Sequence, residues 1–256
     1  VHAKLNHEYL SFRVFRKNRP SDLEYEDEPE AKTWLLGRLL FEFCVTRPSR
    51  ETLESLGLVY VDYQPNALLR VAESLEPFLR TGNVDPVDLT RLLLDGIRRN
   101  RQILPYAKVD LTDEDVWSQA FNQKDRAISI SLAQSREGAT ERWLPATDRH
   151  RRARLLLKMG LSSGATRDGL LGDFFLAASK QGLLQRYPAA KANGHALDLS
   201  KVHFLDGASK DLWICPSCGS RTQRKLGDHC VALGCEGTPI LLDRAAREKL
   251  LATNHY

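Results

Sequence analysis

The spacing Cys215-x2-Cys218-x11-Cys230-x4-Cys235 is the strongest constraint in this chain. Two short-spaced cysteine pairs, each in its own turn, supply the four soft donors that a tetrahedral zinc ion takes at about 2.3 Å from each sulfur. Such a turn must aim backbone N–H groups at the thiolates. Pro216 fixes the first turn, and Gly219 and Gly234 permit tight conformations. The intervening RTQRKLGDH is long enough for one hairpin and leads on to an apolar strand, PILL. The stretch therefore reads as a zinc ribbon over 207–242, with Cys215, Cys218, Cys230 and Cys235 as ligands to a structural Zn2+.

The alternatives are weaker. A redox Cys-x-x-Cys pair is expected to follow a strand and open a helix, and here serine and glycine follow instead. Disulfides need an oxidising compartment, and the sequence carries no secretion signal. Four thiolates leave no open position for water, which argues against catalytic zinc. His229 in place of one cysteine, or iron–sulfur ligation, remain as alternatives. Cys44 lies in AKTWLLGRLLFEFC, apolar on nearly every face, and reads as a small buried hydrophobe.

A chain of 256 residues, 42% hydrophobic, can bury a sizeable core, and one or two domains are expected. No run approaches the roughly 18 to 20 apolar residues that cross a bilayer, so a cytoplasmic protein without a membrane partner is expected. Net charge is only +4, from 37 basic and 33 acidic residues, so the distribution of charge carries the information. SDLEYEDEPE holds six carboxylates, Asp22 to Glu30, and reads as a solvated linker. TDRHRRARLLLK holds Arg149, Arg151, Arg152, Arg154 and Lys158 on a basic amphipathic helix.

The fold class expected is α+β, mostly α-helical: a strand and acidic linker over 1–30, a helical part over 31–107, a winged-helix-like middle over 108–206, the ribbon, and a C-terminal helix over 243–256. Ser49 and Gly57 read as helix start and stop, and Leu58 to Val61 as the beginning of a strand. Asn66 and Asp85 read as caps of two further helices, the second with Pro86 in first position and ending in Arg98, Arg99 and Arg101. LTDEDVWSQAF reads as a helix capped by Thr112, and RAISISL alternates at strand period. After the basic helix comes an apolar one, Asp168 to Gln181, then LLQRY, KANGH and ALDLSKVHFL as a hairpin. That apolar helix is ill suited to lie bare in a DNA groove.

Zinc says how a module is held, not what it binds. Arg221, Arg224 and Lys225 at the ribbon hairpin, Lys210 just before it, and Arg149, Arg151 and Arg152 on the basic helix form a candidate phosphate-binding set. A solvated loop explains the hairpin charges equally well. Trp213 is expected to pack beneath the metal turn. Catalytic patterns are missing: GLSSGAT lacks the lysine of a phosphate loop, there is no G-x-S-x-G elbow or H-E-x-x-H, and DEDV at Asp113 reads as a helix cap.

RPSRETLESLGLVYVDY, HALDLSKVHFLDGASKDLWICPSCGSRT and the paired-cysteine ribbon together resemble an accessory region of large bacterial superfamily 2 DNA helicases, the Lhr-like group that includes helicases of phage-defence systems such as Druantia and DISARM. The resemblance covers Trp34 to Tyr63 and Gly194 to Tyr256. It implies DNA, single-stranded or forked, as partner, together with the remaining helicase lobes and defence-system subunits. ATP and Mg2+ would belong only to the motor of the parent protein, because the motor motifs are missing from this sequence. The opening on Val1 and the ending on ATNHY are what a segment of a longer chain would show. A zinc-stabilised interaction scaffold and a standalone winged-helix regulator are the competing readings.

Overall fold

The computed structural model describes residues 42–44, 52–79, 84–104, 129–132, 140–161, 163–187 and 194–253. The acidic block, Ser49, LTDEDVWSQAF and most of the helix from Ala31 lie outside them. Pairs of helices and runs of strands are interspersed in a mixed α+β fold.

Residues 52–57 form a turn, not a helix, which Gly57 closes at φ +70°. Strand β1, Val59–Tyr63, follows. Helix α1, Pro65–Leu79, buries Ala67, Leu68, Val71, Ala72, Leu75 and Leu79 along one stripe. Asn66 is not its cap: Pro65, whose missing N–H costs nothing in the first turn, starts the helix one residue earlier. Helix α2, Pro86–Arg99, begins as its sequence requires, with Asp85 accepting from the Val87 amide at 2.6 Å and Pro86 in the first turn. Helix α3, Arg151–Leu157, is capped by His150, whose Nδ1 accepts from the Arg152 amide. Helix α4, Gly164–Lys180, buries Leu170, Leu171, Phe174, Phe175 and Ala178. Its apolar residues are spent on the core, where it packs against α1, which also packs on α2.

Strands β2 (Ser129–Ser131), β3 (Thr140–Arg142), β4 (Leu184–Arg186) and β5 (His195–Leu197) form a sheet in the order β3-β2-β5-β4, with only β2 and β3 parallel. Trp143, the residue after β3, ties this sheet to α4: its indole N–H donates to the Leu171 carbonyl at 2.7 Å and its ring stacks on Phe174. The β4–β5 pairing gives the hairpin read from LLQRY and HAL. The rest of ALDLSKVHFL leaves it. Asp198 accepts from the Ser200 amide and caps a single 3-10 turn, Leu199–Lys201, which redirects β6, Val202–Asp206, to pair antiparallel with β1. Strands β7 (Trp213–Ile214), β8 (Arg221–Thr222) and β9 (Ile240–Leu241) make a small antiparallel sheet in the order β8-β7-β9, and α5, Arg244–Thr253, follows.

One cluster of buried side chains runs from Phe43 through Leu75, Leu94, Trp143 and Phe174 to Leu226. It crosses the segment boundaries expected near 107 and 206, and Leu226 belongs to the stretch between the two cysteine pairs. None of the described helices is long and apolar enough to cross a membrane.

Candidate metal centre and basic surface

The four cysteines of the small sheet converge. Their sulfurs all lie within 4.8 Å of one another. Cys215 and Cys235 Sγ are 3.6 Å apart, and Cys218 and Cys230 Sγ 3.7 Å. A tetrahedron with zinc–sulfur bonds of about 2.3 Å has edges of about 3.8 Å, so the cluster has the size of a zinc site. The donor set fits as well, since the sulfurs already receive backbone N–H groups: Ala232 to Cys230 at 3.3 Å and Gly237 to Cys235 at 3.4 Å. The Ser217 and Cys218 amides serve Cys215 in the same way. Gly219 and Gly234 take φ +71° and +82° to make these turns. At Gly237 a side chain has no room, because a Cβ would stand 2.6 Å from Cys215 Sγ.

The Cys218 thiol is pulled down to about 6, first by the Ser220 hydroxyl, which lies 3.2 Å from its sulfur. Burial pushes Cys44 up to about 12, as an inert packing thiol should be. His229 is exposed and stands outside the four-sulfur group.

The second cysteine turn is fastened to the basic helix. Lys158, at the end of α3, sends its ammonium to the carbonyl oxygens of Cys230, Ala232 and Cys235 at 2.8, 2.6 and 2.7 Å. Three donors meet three acceptors, which satisfies the whole ammonium.

The candidate phosphate-binding residues divide. Arg224 is a correction: it is 5% exposed and reaches inward, donating to Asp95 at 2.9 Å and to the Val61 carbonyl, with its guanidinium over the Tyr60 ring. Arg152 is a second. It is 8% exposed, pairs with Glu141 at 2.7 Å, donates to the Trp143 and Arg142 carbonyls, and lies over the Trp143 ring. Both guanidinium groups are buried inside the fold, out of reach of a phosphate in solvent. Arg149, Arg151, Lys210 and Lys225 are exposed, and Arg221 is half-buried in β8. Lys210 sits over Tyr60, and Lys225 over the half-buried Trp213.

Two buried polar clusters went unread in the sequence. In the first, Asp95 accepts from Arg98, Arg224 and the Tyr63 hydroxyl, while Arg98, fully buried, also holds Glu54 at 2.8 Å and the Phe43 carbonyl. Burial alone would raise the Asp95 pKa, but the guanidinium groups of Arg224, Arg98 and Arg99 outweigh it and hold the carboxyl far below its ordinary range. The i, i+3 spacing of Asp95 and Arg98 was the available signal, and a helix-terminal charge explained Arg98 equally well. In the second cluster, Glu141 takes Arg152 on one oxygen and the Gln102 amide at 2.6 Å on the other, with His150 Nε2 at 3.4 Å. Burial works against its ionisation, but His150, Arg152 and Gln102 together hold its pKa down to about 2.

The arrangement can hold one metal ion with no open position, and it presents cations on both the metal module and the helix fastened to it. No family model matches the chain, and neither a curated protein nor a solved structure matches it.

Proposed function

We propose that the chain is a zinc-stabilised, nucleic-acid-engaging unit: the accessory region, cytoplasmic, of an ATP-driven superfamily 2 DNA helicase or translocase of the phage-defence kind. The Lys158 contact carries this reading. It fastens the cysteine module to the helix that bears Arg151 and Arg154, with Arg149 just before the His150 cap, so cations of both are held in a fixed relation while a strand passes. In this reading α3, α4 and the β4–β5 hairpin act as a winged-helix-like body and 207–242 as a zinc ribbon. Because α4 is committed to the core, it cannot read base edges in a duplex groove, and grip on a duplex is through backbone phosphate. ATP and Mg2+ act on the motor lobes of the parent protein alone.

The test is fluorescence anisotropy with single-stranded and forked DNA at low and physiological salt. A dissociation constant of about 1–100 µM that weakens steeply with salt is expected. The double variant Arg149→Glu/Lys225→Glu, both exposed positions, should weaken binding about tenfold or more with the fold intact. Absence of binding at low salt would remove the reading.

A second reading, a protein-interaction scaffold, is favoured by the exposed apolar side chains Phe204 and Leu205 on β6 and Ile240 and Leu241 on β9. Under it, the charge-reversal variant assembles normally with its partner, whereas Phe204→Ser/Ile240→Ser does not.

A further inference from the structure

Between α2, α3 and the second cysteine turn lies a cavity of about 370 Å³, within the size range of small-ligand sites. Its walls are Leu92 and Leu93 from α2, Leu155 from α3, and Val231 and Leu233 from the metal module. Glu141, His150 and Arg152 close one side, locked to one another by the bonds described above. Two further lining groups are not so engaged. The Asn100 carboxamide and the Arg151 guanidinium make no hydrogen bond or ion pair with another described residue. Lost hydration and the like charges of Arg99 and Arg152 outweigh the carboxylates of Asp95 and Glu141 and lower the pKa of Arg151, which an anion at the guanidinium would oppose.

An apolar slot with one carboxamide and one open guanidinium selects its ligand by chemistry. A fatty acyl chain would fill the slot but leave the carboxamide without a partner, and a sugar alone would press hydroxyls against leucine and valine, whereas the ribose of a nucleotide need not enter between those walls. A planar heterocycle lays its faces on those walls and offers a donor–acceptor edge to the amide, a match that asparagine makes bidentately with adenine N6 and N7. A phosphate on the same ligand meets Arg151 in a charge-assisted, two-pronged contact.

We propose that this cavity binds one adenine nucleotide unit, its base between α2 and the metal module and its phosphate on Arg151. The unit can be a free mononucleotide or an unpaired adenine of a strand; only the second source rests on the nucleic-acid reading above.

Calorimetry of the full chain with AMP, adenosine, octanoate and an oligothymidylate carrying one central adenine separates these cases. AMP should bind with a dissociation constant below about 1 mM. Arg151→Ala should weaken AMP about tenfold while leaving adenosine unchanged. Leu92→Trp fills the slot and should abolish both, with zinc content and thermal unfolding as in the parent; Asn100→Leu provides the same test should that variant not fold. Displacement of AMP by the adenine-containing strand, and not by plain oligothymidylate, identifies the strand as source. AMP binding without displacement identifies the free nucleotide and supports the cavity even if the nucleic-acid reading fails. No binding of AMP, or octanoate binding as tightly, overturns the inference, and DNA binding that survives in Leu92→Trp would then leave the nucleic-acid reading standing.

Discussion

Lys158 Nζ lies 2.8 Å from the carbonyl oxygen of Cys230, and the same ammonium also holds the carbonyls of Ala232 and Cys235. The metal module is therefore joined to α3 by a charge on backbone, a contact independent of the sulfurs. Hydrogen bonds to a charged group contribute roughly 1.5–3 kcal/mol. Lys158→Met keeps the stem and removes the charge. We expect a loss of about 2 kcal/mol in urea unfolding, with one zinc still bound per chain by elemental analysis. Loss of zinc in this variant would mean that the lysine supports the ligands themselves.

The cysteine cluster predicts its own stoichiometry. Elemental analysis should find one zinc per chain, and Cys218→Ser should remove it, whereas Cys44→Ala should retain it. The metal loss should not stay local, because Leu226, between the two cysteine pairs, is fully buried in the main core. Chelation or Cys218→Ser should cost at least about 3 kcal/mol, lowering the melting temperature by roughly 6–12 °C. Cys44→Ala should cost about 1 kcal/mol, as a small core change does.

The features legible in the sequence are those whose partners are close along the chain. Cysteine spacing fixes the metal geometry within 21 residues, Asp85 and Pro86 fix the start of α2, and Leu184 to Leu197 fixes a hairpin. What escaped depends on distant partners. Arg224 and Lys225 are neighbours of the same sign, yet one points inward to Asp95, 129 positions away, and the other to solvent over Trp213. Arg151 and Arg152 divide in the same way, since a helix turns by about 100° per residue and only Arg152 faces Glu141 and Trp143. The departure of β6 to pair with β1 is of this kind too, being decided by a strand some 140 residues earlier.

Asp95 sits between two arginines, and its removal should show how much the buried network depends on balance. Asp95→Asn leaves Arg224 without a counter-charge and should cost about 3–5 kcal/mol, or prevent folding. The pair variant Asp95→Leu/Arg224→Met leaves Arg98 balanced by Glu54, 2.8 Å away, and should be more stable than Asp95→Asn alone. The coupling between the two positions should reach about 1–3 kcal/mol in a double-mutant cycle. Lys225→Ala, one residue away and exposed, should change stability by less than about 0.5 kcal/mol. Equal effects of Arg224→Met and Lys225→Ala would contradict the inward placement of Arg224.

Glu141 gives the protein a pH dependence of known sign. Its carboxyl is held at about 2 in the fold, against an ordinary value of 4.5, by His150, Arg152 and Gln102 acting against burial. A group whose pKa is depressed by folding stabilises the protein above its unfolded value and loses that contribution as pH falls through the folded value. The full contribution is thus present above pH 4.5 and should fade between there and about 2. The side chain keeps 30% of its exposure, so solvent screening reduces the contribution to about 2 kcal/mol. Glu141→Gln should therefore be about 2 kcal/mol less stable than the parent at pH 7, with the gap narrowing steadily in urea unfolding at pH 5, 4 and 3. A gap of the same size at pH 3 and pH 7 would assign the loss to packing and not to the carboxylate. The same variant keeps the cavity wall in shape, so AMP binding at pH 7 should persist in it, which separates the role of Glu141 in stability from that of Arg151 in holding a phosphate.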